Sequence, residues 1–152
     1  MTGTENRWRI WTAGRADADA LVRLEALAFG AKSWGEDSVR ASFVASRVTI
    51  FFGGETKGNP AGFVMWRDLG EEAEILTLGV EGSVRGGGLG ACLLRAALDA
   101  ARSGGAQRFF LEVNATNEAG RRLYESAGFR EVGARKRYYA DGGDAIVMAL
   151  SL

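Results

Sequence analysis

Histidine is missing from all 152 residues of the chain. Proton transfer near neutral pH therefore falls to carboxylates, tyrosine, water or a chain terminus. A single cysteine, Cys92, excludes an internal disulfide framework and suits a reducing compartment. Charge of either sign is not in excess: lysine plus arginine and aspartate plus glutamate both number 19. No global field argues for nucleic acid as a partner. No apolar run approaches membrane-spanning length, and the start MTGTENRWRIW does not read as a signal peptide. A cytoplasmic protein without a membrane or metal site is the expectation. What is present is ordinary: 47% hydrophobic and 25% charged residues. That supports a real core, and the length favours one domain over residues 1–152.

Glycine is the residue in good supply, and its densest cluster organises the chain. The stretch Leu76 to Arg95 reads LTLGVEGSVRGGGLGACLLR. Its left end is a short apolar run of the kind that makes a buried strand. On its right, Leu89, Leu93, Leu94, Ala97 and Leu98 follow helix spacing. Between them lies Arg85-Gly-Gly-Gly-Leu-Gly90. A strand that passes through a glycine-rich turn into a helix makes an anion site, because glycines admit close backbone approach and the N–H groups at the helix start are unpaired. The Lys-Ser/Thr of a nucleoside-triphosphate loop is missing, since Ala91-Cys92 follows Gly90. The dinucleotide spacing fails too, because Ala91 holds the third glycine position. A plain flexible turn before a helix is the competing reading.

Around this centre the pattern is mixed α/β. Strands are expected at Arg7–Thr12, Val48–Phe52, Ala61–Arg67, Ala73–Val80 and Arg108–Val113. Pro60 precedes the third, where a missing N–H is tolerated. Asp17 or Asp19 caps a helix whose apolar positions are Leu21, Leu24, Leu27 and Ala28. A second short helix spans Glu36–Ala45. The long helix after the glycine loop stops at Gly104-Gly105, and another runs from Asn117 to about Ala127 before Gly128. Phe129–Tyr138 and Ala145–Leu150 form a final hairpin around Ala140-Asp-Gly-Gly-Asp144.

Arg85-x-x-Gly88-x-Gly90 resembles the diphosphate loop of the GNAT superfamily, the acetyl-coenzyme A dependent N-acetyltransferases. Phe110-Leu-Glu-Val113, Asn117, Arg122-Leu-Tyr-Glu125 and Ala127-Gly-Phe129 follow in that family's order. The tail, Arg137-Tyr-Tyr139 and Asp144-Ala-Ile-Val-Met148, resembles the RimI-type branch of ribosomal-protein N-terminal alanine acetyltransferases. Ser33-Trp-Gly-Glu36 resembles the same branch. Residues 7–150 carry the resemblance, with the specific motifs within 73–148. Gly86 and Gly87 depart from the arginine and glutamine common in that branch's loop, and Gly82 stands where a proline is usual. The implied fold is a mixed, largely antiparallel central sheet of about seven strands flanked by about four helices.

The resemblance implies roles for particular residues. The main chain of Arg85, Gly86, Gly87, Gly88, Leu89 and Gly90 binds the diphosphate of coenzyme A. The main chain of Leu78, Gly79 and Val80 faces the thioester and pantetheine. Asn117 lies on the pantetheine arm, and Tyr124, seven residues on and so on the same helix face, lies near the sulfur. Tyrosine, with an ordinary pKa of about 10, holds a proton it can give to a departing thiolate. The competing readings are a helix cap for Asn117 and a core aromatic for Tyr124. Strand alternation sets Phe109, Leu111 and Val113 on one face and Phe110 and Glu112 on the other. A carboxylate inside such a run needs a partner or a task, because burying an unpaired charge is costly. In the RimI-type branch the equivalent glutamate is the general base. An ion pair with Arg108 or another basic group competes. Glu74, on the fourth strand, is the rival base, against a solvated strand-end charge. Trp34, Tyr138 and Tyr139 are expected to line the acceptor slot, against simple packing roles. Cys92 reads as a small core residue.

The expected activity is acetyl transfer from acetyl-coenzyme A to an amine by direct attack in a ternary complex, and the resemblance implies a protein N-terminus, in that branch one of a ribosomal protein, as acceptor. A protein α-amine, pKa about 8, is easier to deprotonate at neutral pH than lysine at about 10.4. A small amine or lysine is the alternative acceptor, and a non-catalytic acyl-coenzyme A binding module is the alternative of another class. A monomer or weak dimer is expected.

Overall fold

The computed structural model describes residues 7–152. Residues 1–6, the first part of the segment read above as no signal peptide, lie outside the described residues. The strands are β1 (Arg9–Thr12), β2 (Val48–Gly54), β3 (Gly62–Asp68), β4 (Glu72–Val80), β5 (Arg108–Asn114), β6 (Arg130–Arg135) and β7 (Ala145–Ser151). The α-helices are α1 (Ala18–Phe29), α2 (Glu36–Ala41), α3 (Leu89–Ser103) and α4 (Glu118–Ser126). The strands form one seven-stranded sheet in the order β1-β2-β3-β4-β5-β7-β6. Neighbours are antiparallel except β4 and β5, which run parallel with α3 between them in the chain. None of the described helices is long and apolar enough to cross a membrane.

The sheet separates two apolar layers. On one face, Leu21 and Leu24 of α1 and Val39 of α2 bury against Ile50, Phe52, Phe63 and Met65. On the other, Leu89, Leu93, Leu94, Ala97 and Ala101 of α3 bury with Val64, Trp66, Ile75, Phe109, Leu111 and Tyr124. Consecutive residues such as Phe63 and Val64 therefore serve opposite layers, as period-two strands require. The α3 stripe follows the spacing read from the sequence. Truncating a fully buried leucine there, such as Leu93, should cost about 2–5 kcal/mol.

Three elements differ from the sequence expectation. In α1, Leu27 is exposed and Glu25 is buried in its place on the inner face. The short helix after Gly35 is α-helical only to Ala41 and tightens to a 3₁₀ turn over Ser42–Val44. β6 stops at Arg135 and does not reach Tyr138, because Arg137 takes φ +52° and turns the chain.

One break in the sheet matters most. β4 and β5 pair only from Glu72↔Arg108 to Ile75↔Leu111. Beyond that point β4 follows β3 to Val80↔Gly62, and β5 follows β7 to Asn114↔Ala145. Residues 76–80 and 112–114 thus each have a strand on one edge only. A bulge sits where they part: Met65 faces Thr77 and Trp66 faces Ile75, leaving Leu76 without an opposite number. An extra residue increases local twist and bends the strand that carries it. The result is a fork inside the sheet, its two arms being the ends of β4 and β5.

Candidate active site

One end of the fork is closed by the glycine loop. A 3₁₀ turn over Gly82–Val84 leads from β4 to Arg85, and α3 starts at Leu89. Arg85 (φ −61°, ψ 145°) and Gly86 (φ +85°) are the central residues of a type II turn closed by Gly87 N–H to Val84 C=O at 3.3 Å. Gly88 is left-handed at φ +89°. Positive φ at both positions explains why glycine occupies them. The N–H groups of Gly86, Gly88, Leu89, Gly90 and Ala91 donate to no main-chain or side-chain acceptor among the described residues. A Cβ at Gly86 would meet nothing within 4 Å. Free donors at a helix start, on an open loop, fit the diphosphate of coenzyme A. Arg85 is placed differently from its neighbours. Its N–H bonds Gly82 C=O at 3.3 Å, and its guanidinium bonds Val80 C=O and Ala28 C=O, both at 3.2 Å. It staples the loop to the end of β4 and to α1.

The β4 arm alternates. Leu78 and Val80 are half-buried against the α3 layer, and a Cβ on Gly90 would lie 3.8 Å from each. Gly79 faces the other way, where a Cβ would meet Ala28 Cβ at 2.8 Å. Its glycine is explained by α1 packing, and only its main chain borders the fork.

The other arm carries Glu112. The faces of β5 are as read from the sequence: Phe109, Leu111 and Val113 are buried, Phe110 and Glu112 half-buried. Glu112 Oε2 is sealed from solvent and receives no in-line hydrogen bond. Arg135 Nε lies 2.9 Å away, but its N–H does not point at the oxygen, so the contact is Coulombic. Arg108, the partner considered from sequence, pairs instead with Glu72 at 3.6 Å. Arg135 also stands 5.5 Å over the Tyr138 ring. Glu74 lies below the fork, opposite Phe110 in the paired part of β4. Arg67 holds it, with Nε at 2.8 Å and Nη2 on the same oxygen.

Tyr124 is buried on α4 and packs edge-on to Phe129 at 5.8 Å. Its hydroxyl has no hydrogen bond among the described residues. Burial pushes its pKa well above the ordinary 10, with Tyr139 adding to the rise. Burial likewise raises Tyr139, and the Glu112 carboxylate adds to it. Glu112, Tyr139 and Tyr124 therefore share one region. Asn117 caps α4, its Oδ1 accepting Gly120 N–H at 2.9 Å. The cap leaves its Nδ2 without a partner among the described residues. A Cβ at Gly120 would stand 2.6 Å from that nitrogen, so a larger residue there would push the Asn117 amide aside.

Two loops flank this region. Tyr138 is half exposed and meets Tyr139 edge-on at 5.1 Å. Trp34, also exposed, lies in the loop after α1. Lys32 Nζ and Asp141 Oδ2, 3.7 Å apart, tie the two loops together. Sequence reasoning missed what fixes Trp34. Glu25, 1% exposed, accepts the Trp34 N–H at 2.8 Å and the Ser33 hydroxyl. The available signal was its position four residues after Leu21, on the apolar stripe. Arg135 was missed as well, and nothing local marks it. Cys92 is half-buried against the α3 layer.

The comparisons with known proteins agree with this geometry. A family model described as the acetyltransferase (GNAT) family matches residues 18–129. The N-alpha-acetyltransferase RimI of Mycobacterium tuberculosis (strain ATCC 25618 / H37Rv) is 36% identical over 154 aligned residues, 97% of this chain and 95% of its own. The crystal structure of the ribosomal-protein-S18-alanine N-acetyltransferase from Escherichia coli superposes with a TM-score of 0.85 at 32% identity, covering 95% of this chain and 93% of that one. The NatC complex bound to Gag peptide and CoA shares the fold, with a TM-score of 0.78 at 21% identity over 96% of this chain and 99% of that one.

Proposed function

The chain belongs to the acetyltransferase (GNAT) family, and from that footing we propose that it is an acetyl-coenzyme A dependent enzyme acetylating the N-terminal α-amine of a protein, acting as a single domain over residues 1–152. The observation that carries the reading is the fork between β4 and β5. Free main-chain donors close it at the glycine loop, and Glu112, Tyr124 and Tyr139 gather at its other arm. The acceptor class is supported by the likeness to RimI and to the ribosomal-protein-S18-alanine enzyme, whose names state N-terminal targets. A ribosomal protein is accordingly the acceptor to try first.

Gly86, Gly88, Leu89, Gly90 and Ala91 hold the diphosphate through their N–H groups, and the free edge of residues 76–80 and Asn117 Nδ2 hold the pantetheine arm. Acetyl-coenzyme A supplies the activated acetyl group and a thiolate that leaves. Glu112 accepts the proton that the α-ammonium must lose before it can attack. Its Oε2 receives no in-line hydrogen bond among the described residues, and the Arg135 cation beside it approaches out of line. Tyr124 keeps its own proton throughout the neutral range, because burial opposes the phenolate, and gives it to the leaving sulfur. Glu74 is the second candidate base, with its carboxylate already engaged by Arg67. Trp34, Tyr138 and Tyr139 line the approach of the peptide. Aromatic walls there exclude water from the amine.

The test is mass spectrometry of acetyl transfer to a panel of N-terminal peptides, lysine peptides and polyamines. Acetylation confined to the peptide α-amine is expected. Transfer to polyamines or lysine side chains with peptides ignored would replace the acceptor class, and absence of transfer with coenzyme A bound would favour a binding module.

A further inference from the structure

Gly86, Gly87 and Gly88 have no side chains to fix the peptide planes between them, and we infer that Trp8 is the positioning residue that fixes one of these planes. The proposal rests on the reading of the loop as the diphosphate site. Trp8 stands just before β1, 6% exposed, and its indole N–H donates to Gly87 C=O at 2.8 Å. In a trans peptide the C=O and the following N–H point in opposite directions. Holding Gly87 C=O against the indole therefore turns the Gly88 N–H away from Trp8, and that N–H is one of the loop's free donors.

The loop needs such an anchor. Gly86 and Gly88 are both left-handed, and glycine lets the intervening peptides rotate at little steric cost. The internal bonds at Arg85 and Gly87 are long, both 3.3 Å. The Trp8 contact is the shorter one. It is backed by the Arg7 guanidinium, 4.2 Å over the indole ring and paired with Glu55 at 2.8 Å. A Cβ at Gly87 would meet Arg7 Nη1 at 3.0 Å and Trp8 Cζ2 at 3.1 Å, so the loop rests directly on this wall. A rotated Gly87–Gly88 peptide would present a carbonyl dipole to the phosphates where a donor is wanted. A loop populating both orientations binds more weakly by the fraction that is competent.

Two variants of the full chain separate this from support of the fold: Trp8→Phe, and replacement of Trp8 by benzothienylalanine, which keeps the ring shape and removes the N–H. Each is measured with acetyl-coenzyme A and with acetyl-pantetheine, which carries the thioester without the diphosphate. A wild-type protein that treats the two donors alike would remove the diphosphate reading itself. With that reading intact, both variants should lose about three- to tenfold in kcat/KM for acetyl-coenzyme A, the effect of one hydrogen bond. The loss should lie in KM, with kcat at saturation and the acetyl-pantetheine values near wild type. Equal loss on both donors would assign Trp8 to the fold alone. A benzothienylalanine protein that matches wild type would show that the N–H plays no part.

Discussion

Glu112→Gln removes a proton acceptor while keeping size and shape, and the surroundings let its effect be separated from a loss of folding. Among the described residues the carboxylate touches one cation, Arg135, whose side chain is 60% exposed. With its cation this exposed, the pair contributes about 1 kcal/mol, so the variant should melt within about 2–4 °C of wild type. The catalytic loss is expected to be larger. A positioned general base contributes about 10²–10⁴ in rate, or roughly 2.7–5.4 kcal/mol of barrier. Glutamine can still lie in the same place, but it cannot take the amine proton. The assay is steady-state acetylation of an N-terminal peptide across pH, with thermal denaturation as the control. The deficit in kcat should narrow as pH rises past the α-amine value of about 8, where substrate arrives already neutral. Glu74→Gln should leave kcat near wild type. A Glu112→Gln enzyme within a few-fold of wild type beside a crippled Glu74→Gln enzyme would refute the assignment and reverse the two glutamates.

Other expectations test the remaining parts of the site. Gly88→Ala forces an L-residue into φ +89° and should raise KM for acetyl-coenzyme A, whereas Gly90→Ala, whose Cβ would find only ordinary contacts at 3.5–3.8 Å, should melt no lower than wild type; a wild-type KM in folded Gly88→Ala would reduce the loop to a turn. Tyr124→Phe should lower kcat without weakening coenzyme A in calorimetry. It should also change alkaline stability. The unfolded tyrosine ionises near 10 and the buried one later, so above about pH 10 the unfolded state binds fewer protons and stability falls with pH, by up to ~1.4 kcal/mol per unit. Phenylalanine removes that slope, and an unchanged alkaline limb would show that Tyr124 is not buried in solution. Glu25→Ala removes the carboxylate that holds the Trp34 N–H and the Ser33 hydroxyl, at about 1.5–3 kcal/mol for a hydrogen bond to a charged group; peptide KM should rise more than KM for acetyl-coenzyme A, and a selective rise in the latter would mean that Trp34 does not line the peptide slot.

Much of this architecture could be read from the chain because local rules decide it. The α3 stripe, the glycine stop at Gly104 and the alternation through Phe109–Val113 are periodic signals, and each appears where expected. The turn chemistry of Arg85–Gly90 is local too, since positive φ calls for glycine. What was hidden depends on partners far apart. Trp8 and Gly87 are 79 residues apart, and an indole before a first strand gives no sign of its acceptor. Leu27 was placed on the apolar face by spacing alone, whereas Glu25 occupies it because a loop eight and nine residues later supplies its donors. Arg135 met Glu112 only through the pairing of β6 with β7 and of β7 with β5.

The fork gives the strongest reason to separate the two glutamates, which no motif alone could do. Glu74 immediately precedes Ile75, the last β4 residue paired with β5, and Glu112 immediately follows Leu111, the last β5 residue paired with β4. One glutamate is thus inside the closed sheet and the other at the opening. Inside, Glu74 stands within reach of Arg67 on β3, and that cation brings two donors to one of its carboxylate oxygens, Oε1. At the opening, Glu112 loses its neighbouring strand on the β4 side, and among the described residues the cation that reaches it approaches from β6 out of line. The bulge at Leu76 lies where the strands part, and so where one carboxylate is enclosed and the other left at the opening. Reactivity here follows from register. Moving the parting point by two residues would enclose Glu112 in the sheet, although not one residue of the site motif had changed.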